Sequence, residues 1–284
     1  MKRIVSMQDL SCVGKCSLSI ALPVLSAMGI ECACLPTQLL SAHTVFEGFY
    51  SRDLSDSFAP ITRHWDEAGL EFDGIYTGFL GSVAQVESAR SLVEKFRREG
   101  KLCFVDPVMA DQGALYSGID PRLPEAMLSL CKHAQIITPN ITEACLLTGT
   151  EYRSSHDEGY IRRLLEGLLK LGVETAIVTG IHTDSAHMGV AAMGQNTEPA
   201  LHFTDYIPSL FHGTGDLFAS TCVGALLLGY SAAHSIALAA DYVFYTIRAT
   251  AADPDARWYG VNFEQTLPYL LSRLGKVTQK EEIS

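Results

Sequence analysis

The sequence predicts an α/β fold, a mainly parallel central sheet flanked by helices on both faces, and two observations carry that prediction. Short apolar runs with strand character alternate with longer segments of helical period along most of the 284 residues. That alternation is what a parallel sheet with crossover helices produces. Several apolar runs also stop at turn-forming residues, as at Gly78, Asp106-Pro107 and Pro139. Hydrophobic residues make up 48% of the chain and charged residues 19%, a globular composition with ample core. No internal repeat, low-complexity tract or linker divides it, so residues 1–284 read as a single domain.

Residues 3–7 read as a short buried strand, 8–15 as a polar loop and 17–28 as a helix closed by Gly29. The second strand is 31–36. Residues 37–50 mix Ser41, His43, Thr44, Phe46, Gly48, Phe49 and Tyr50 without period. A loop that long in a compact domain reads as a flap or binding loop. Residues 53–68 read as helix and 73–77 as a strand running into Gly78-Phe79-Leu80-Gly81, after which Ser82 caps a helix to Arg98. A strand at 101–105, a helix at 121–132 and a strand at 135–137 follow. Short helices then lead to a longer one at 157–171, a strand at 175–179, and an antiparallel ribbon from 186–193 and 200–203. Residues 217–240 lack Asp, Glu, Lys and Arg and are long enough to span a bilayer. Gly229-Tyr230-Ser231 divides them and Asp216 and Asp241 bracket them, so two buried helices are the better reading. A helix at 263–274 precedes a charged tail, 276–284, expected to fray.

The net charge of −11 disfavours nucleic acid and anionic membrane as partners, since both require basic surface. The eight cysteines show no CxxC spacing and sit mostly in apolar runs, as reduced thiols of a cytoplasmic protein do. Lys2-Arg3 precede too short an apolar run for a signal peptide.

In a parallel sheet, ligands bind beyond the carboxyl ends of the strands. Strand-end residues are therefore the candidates: Asp9, Phe79, Asp106, Asn140, Thr179 and the turn Gly213-Thr214-Gly215-Asp216. Glycines at 213 and 215 permit a tight turn, and a helix starting there offers unpaired N–H groups and a positive dipole end, an anion site. Asp216 would repel an anion, yet it fits as the base for a nucleophile attacking a phosphate. The alternative is an ordinary glycine turn with an acid in the first helical turn. Asn140 and Glu143 stand three apart, on one face of a helix beginning near 140. With Asp106 they suit Mg²⁺ among carboxylates, waters and phosphates; by themselves they equally suit a helix capping box. Gly14-Lys15 fails as a P-loop, because Asp9 and Cys16 stand where Gly and Ser or Thr are needed. His182 and His187 lack zinc-helix spacing and read as solvated, and Trp65 and Trp258 read as packing or interface residues.

Asn140-x-x-Glu143 followed by Gly-x-Gly-Asp at a helix start resembles the ribokinase-like kinase superfamily. Val5-Ser6-Met7-Gln8, Ser41-Ala42-His43-Thr44, Gly78-Phe79-Leu80-Gly81-Ser82, Asp106-Pro107-Val108-Met109 and Thr138-Pro139-Asn140 fall in the order of its pyridoxal/pyridoxine (vitamin B6) kinase branch. The resemblance covers essentially the whole chain. It implies a ribokinase-like fold with a small flap at 41–50 rather than a full lid domain. It implies ATP-dependent phosphorylation of the 5′-hydroxymethyl group of pyridoxal, pyridoxine or pyridoxamine. Asp216 would be the base, and Gly213, Thr214 and Gly215 the anion hole. Asp106, Asn140, Glu143, Thr179 and His212 would serve ATP, with Asp106 and Glu143 holding Mg²⁺ directly or through water. Asp9, His43, Thr44, Val45 and Phe79 would line the pyridine pocket, and residues 196–212 would border the nucleotide. A cytoplasmic homodimer, with K⁺ as a candidate monovalent ion, completes the implied picture. The chain departs from that branch at Asp9, Phe79 and Thr179, where Ser, Tyr and Lys are common. A carboxylate at 9 would pair with a cationic group of the substrate, its ring nitrogen or an amine. The rivals are a hydroxymethylpyrimidine kinase of thiamine synthesis and a non-catalytic B6-binding protein, which would have no use for Asp216.

Overall fold

In the computed structural model, which describes residues 1–208 and 211–275, β1 (Arg3–Ser11) runs through the interior of the sheet. Its buried pattern is nearly continuous, as a strand covered on both faces requires. The chain continues through β2 (Glu31–Leu40), β3 (Ser51–Asp53), β4 (Gly74–Thr77), β5 (Leu102–Val105), a hairpin of β6 (Ala110–Asp111) and β7 (Ala114–Leu115), β8 (Ile136–Ile137), β9 (Thr175–Ile181), β10 (His187–Gly194) and β11 (Ala200–Asp205). All but the hairpin form one nine-stranded sheet in the order β11-β10-β9-β8-β5-β4-β1-β2-β3. The strands from β9 across to β2 pair in parallel, while β10, β11 and β3 are antiparallel additions at the edges.

Alternation along the strands divides the core in two. Val5, Met7, Ile75, Val105, Ile137 and Val178 face α2 (Phe58–Glu67), α3 (Val83–Arg98), α4 (Leu123–Cys131), α5 (Ile141–Thr148) and α6 (Glu158–Leu169). Ile4, Tyr76, Phe104, Ile136 and Ile177 face α1 (Leu18–Ala27), α7 (Thr214–Leu227), α8 (Ala232–Ala252) and α9 (Phe263–Arg273). The expected layers are therefore present. No helix among the described residues is long and apolar enough to cross a membrane. The apolar stretch after Asp216 is two helices, and α8 runs on to Ala252, well past Ala240.

Several boundaries differ from the sequence reading. Residues 8–11 are strand rather than loop: β1 slips register between Gln8 and Leu10 and continues beside β2 to Ser11. The ladder satisfies their backbone, so their polar side chains can turn toward the strand-end face. β2 likewise reaches Leu40, which shortens the irregular flap to 41–50, and Asp53 belongs to β3 with helix only from Phe58. The β6–β7 hairpin was not foreseen, because two-residue strands leave no periodicity to read. The tail at 276–284 lies outside the described residues.

Candidate active site

The turn before α7 is built by Gly213, its N-cap, at φ 83°. A side chain there would be strained, and its Cβ would overlap the carbonyl oxygen of Lys15. Gly215 differs: a Cβ there would meet nothing within 4 Å. The starts of α3, α5, α6 and α8 are each capped by a side chain, from Ser82, Asn140, Asp157 and Ser231. α7 has no such cap. α1, α2, α4 and α9 lack one too, but α7 alone among these starts on a left-handed glycine, and its first turn carries the positive end of the helix dipole. Thr214 and Gly215 present that end to a cavity of about 400 Å³.

Asp216 follows at once. Surrounding protein crowds its carboxyl and pushes it up to about 7, aided by the charge of Asp9 and opposed by the backbone N–H of Ser17. Asp9, near the end of β1, is buried; desolvation raises its carboxyl against hydrogen bonds from the Ser17 and Ser11 hydroxyls. Asp106, at the end of β5, is buried too, and desolvation, Glu143 and Asp216 hold it well above the ordinary carboxylate range. The site thus concentrates negative charge that a cation would relieve. Among the described residues, no group of three or more His, Cys, Asp or Glu side chains is placed to hold a metal. A divalent ion would rest on one or two carboxylates with water and phosphate oxygens, the manner of Mg²⁺.

Asn140 and Glu143 form the capping box that their spacing allowed. Glu143 Oε1 accepts from the N–H of Met109 at 2.9 Å and of Ala110 at 3.4 Å, and Oε2 from the N–H of Asn140 at 2.9 Å. Asn140 Oδ1 accepts from Glu143 N–H at 3.0 Å, and its amide donates to the Ala110 carbonyl at 2.7 Å. The pair therefore ties the segment after β5 to the start of α5. Burial pushes Glu143 up to about 8 despite the three N–H donors.

Thr179 bridges to Asn140, donates its N–H to Pro139 at 3.0 Å and lines the cavity. In the flap, the His43 ring lies 5.0 Å from that of His212; burial and His212 push His43 down to about 4, and burial alone lowers His212. Val45 N–H donates to His43 Nδ1 at 3.1 Å. Phe46 rests on Trp258 at 4.7 Å and Tyr259 at 5.3 Å, fastening the flap to the segment before α9.

The structure thus links Asp9 to Asp216, Asp216 to Asp106 and Asp106 to Glu143 electrostatically, and sets Asn140, Thr179, Thr214 and Gly215 around one cavity. Thr44, which is exposed, Val45 and half-buried Phe79 do not line it. Phe79 instead follows β4, beside the end of β1. Sequence reasoning missed Tyr116, Tyr152 and, from α8, Val243, Phe244 and Ile247, whereas Tyr206 falls within the 196–212 stretch expected at the nucleotide. On α8, spacing of four between Val243 and Ile247 marks a helix stripe without distinguishing core from cavity wall. His182 needs correction: it is half-buried in the cavity wall, edge-on to Tyr206 at 4.9 Å, whereas His187 is exposed as expected and pairs with Asp184.

Comparison with known proteins gives concordant results. The phosphomethylpyrimidine kinase family matches residues 67–258. The crystal structure of pyridoxal kinase from Lactobacillus plantarum is similar at 33% identity and a TM-score of 0.86, over 98% of this chain and 100% of that one. A Bacteroides thetaiotaomicron protein, provisionally called a phosphomethylpyrimidine kinase and crystallised with pyridoxal, is 32% identical with a TM-score of 0.89, over 95% of each chain. A Schizosaccharomyces pombe protein, provisionally called a pyridoxal kinase, is 32% identical over 171 residues, which is 57% of this chain and 47% of that protein. The chain therefore spans about half the length of that relative.

Proposed function

Because the chain belongs to the phosphomethylpyrimidine kinase family, we propose that it is an ATP-dependent kinase acting on the 5′-hydroxymethyl group of vitamin B6 vitamers. The observation that carries the reading is the left-handed glycine turn that opens the start of α7 on the cavity beside Asp216, an anion site adjoining a carboxyl poised near neutrality. Asp216 accepts the alcohol proton as the oxygen forms its bond to the γ-phosphorus, and the bond to the ADP oxygen breaks. N–H groups of Gly213, Thr214 and Gly215 stabilise the transferred phosphoryl oxygens. Asn140, Thr179 and His212 border the nucleotide, and Asp9, His43, Thr44, Val45 and Phe79 the vitamer. Asp106 and Glu143 would hold Mg²⁺, Glu143 through water because both its oxygens are engaged by backbone; the ion would neutralise phosphate charge. The proposal extends to a single kinase domain that works as a homodimer in the cytoplasm, with K⁺ as a candidate second ion.

The name of the matching family favours a second reading, phosphorylation of hydroxymethylpyrimidine or its phosphate. Supporting B6 instead, the Bacteroides protein that carries the pyrimidine-kinase name was crystallised with pyridoxal. The test is ADP release by purified protein with Mg-ATP and, separately, pyridoxal, pyridoxine, pyridoxamine and hydroxymethylpyrimidine. Highest kcat/KM on a B6 vitamer is expected. Turnover of the pyrimidine alone would establish the second reading, and vitamer binding without ADP would reduce the protein to a binder. Asp216→Asn should lower kcat by roughly 10²–10⁴-fold, the scale of a positioned base.

A further inference from the structure

Three residues other than glycine have positive φ among the described residues: Ser17, Gln112 and Asn196. Gln112 and Asn196 sit in exposed turns of antiparallel ribbons, where φ of 50° and 59° is ordinary. Ser17 is different. It is 4% exposed and combines φ 46° with ψ −128°, a region that belongs almost wholly to glycine.

Nothing in the local structure uses that conformation. Ser17 is the N-cap of α1 and makes no side-chain capping bond. Its carbonyl starts the helix by accepting from Ile20 at 3.0 Å and Ala21 at 2.9 Å. The turn is tied instead by Ser19, whose Oγ accepts from the N–H of Cys16 at 3.1 Å and lies 2.7 Å from its carbonyl oxygen. Both donors of Ser17 leave the helix. The hydroxyl lies on the side of Asp9 and the backbone N–H on the side of Asp216, and each lowers the carboxyl it faces. The carbonyl of Lys15, two residues earlier, is the atom that leaves no room for a side chain at 213. Strain retained at a buried non-glycine residue points to function when its two free donors meet two site carboxylates.

We infer that Ser17 is a positioning residue: its strained backbone lets one residue hold Asp9, the carboxylate on the vitamer side, in fixed relation to Asp216, the base. The inference rests on the kinase reading and adds to it how two chain segments far apart in sequence keep register. Without the hydroxyl, Asp9 loses a donor and its orientation, so the vitamer binds less well. The N–H on Asp216 belongs to the backbone and survives side-chain truncation.

The test uses Ser17→Ala, Ser17→Gly, Asp9→Ala, the double variant S17A/D9A, and Asp216→Asn. Ser17→Ala and Ser17→Gly should each raise the vitamer KM by about 10- to 100-fold, the scale of a hydrogen bond to a charged group. The KM for ATP and the acid limb of kcat should stay in place. Ser17→Gly should at the same time have a Tm about 2–6 °C above that of Ser17→Ala, because both lack the hydroxyl and only glycine adopts the conformation without strain. The two variants then differ in stability while losing vitamer affinity alike, which a purely structural role cannot produce. In the double variant the Ser17 change should add nothing to the KM of Asp9→Ala. Full additivity, or a wild-type KM in both Ser17 variants while Asp216→Asn abolishes turnover, would overturn the inference and leave the kinase reading standing. Undiminished turnover in Asp216→Asn would remove both.

Discussion

Gly213 and Gly215 look alike in sequence and are opposites in space. Gly213→Ala places a methyl against the Lys15 carbonyl at a φ that disfavours it, so stability and turnover should fall together. Gly215→Ala meets no neighbour and sits in the first turn of α7, so it should stabilise the protein by about 0.5–1 kcal/mol while raising the KM for ATP. Thermal unfolding and steady-state kinetics on the two variants check this pair. Asp216 makes a second prediction. As the proposed base it must be unprotonated, so kcat should decline below an apparent pKa near 7. The same shift has a stability consequence. The folded-state pKa lies above the unfolded carboxyl's, so the contribution of Asp216 is fully present at low pH and is lost as pH rises from about 4 through about 7. Asp216→Asn should flatten that part of the Tm–pH curve for the ligand-free protein. At this scale the sequence showed which strand-end residues to inspect, and the structure does gather Asp9, Asp106, Glu143 and Asp216. It could not show that Ser17 adopts a glycine-like conformation, or that His182 turns into the cavity, since neither leaves a mark on composition or spacing.

At the scale of elements, the Asn140–Glu143 box is more than a helix start, because the same two side chains carry the backbone of Met109 and Ala110. Asn140→Ala should cost about 1 kcal/mol from the lost cap, with a further loss from the freed Ala110 carbonyl. Glu143→Gln should be at least as costly, since an amide nitrogen would then face backbone donors; urea unfolding of both variants gives the ranking. Helices announced themselves through period and caps, as at Ser82 and Asp157. Strands ending in polar residues did not: Gln8, Asp9 and Ser11 read as loop by side-chain chemistry, while ladder pairing with β2 keeps them extended. The functional end of a strand is where hydrophobic patterning must fail, because there its side chains serve a ligand rather than a core.

For the molecule as a whole, the site is assembled from segments spread along the chain, from Asp9 through Asp106, Asn140 and Thr179 to the turn before α7. The flap rests on Trp258, which is 65% exposed, so its emission reports that contact. Mg-ATP with a vitamer should shift Trp258 fluorescence, and Phe46→Ala should remove the shift and raise the KM for substrates. Lys15, just before α1, pairs with Glu264 at 2.9 Å and Asn262 at 3.2 Å at the start of α9, across 249 and 247 positions. For a chain emerging from the ribosome, this means that β1, with Asp9 already in it, waits until residue 216 is made before Asp216 exists, and for nearly the entire polypeptide before Lys15 meets Glu264. Loop closure over such separations is slow and entropically costly. Refolding should therefore show sheet ellipticity returning first and phosphotransfer last. A nascent chain stalled short of α7 would hold all nine strands of the sheet with one apolar face covered by α1 alone, the stage at which the chain most needs a chaperone.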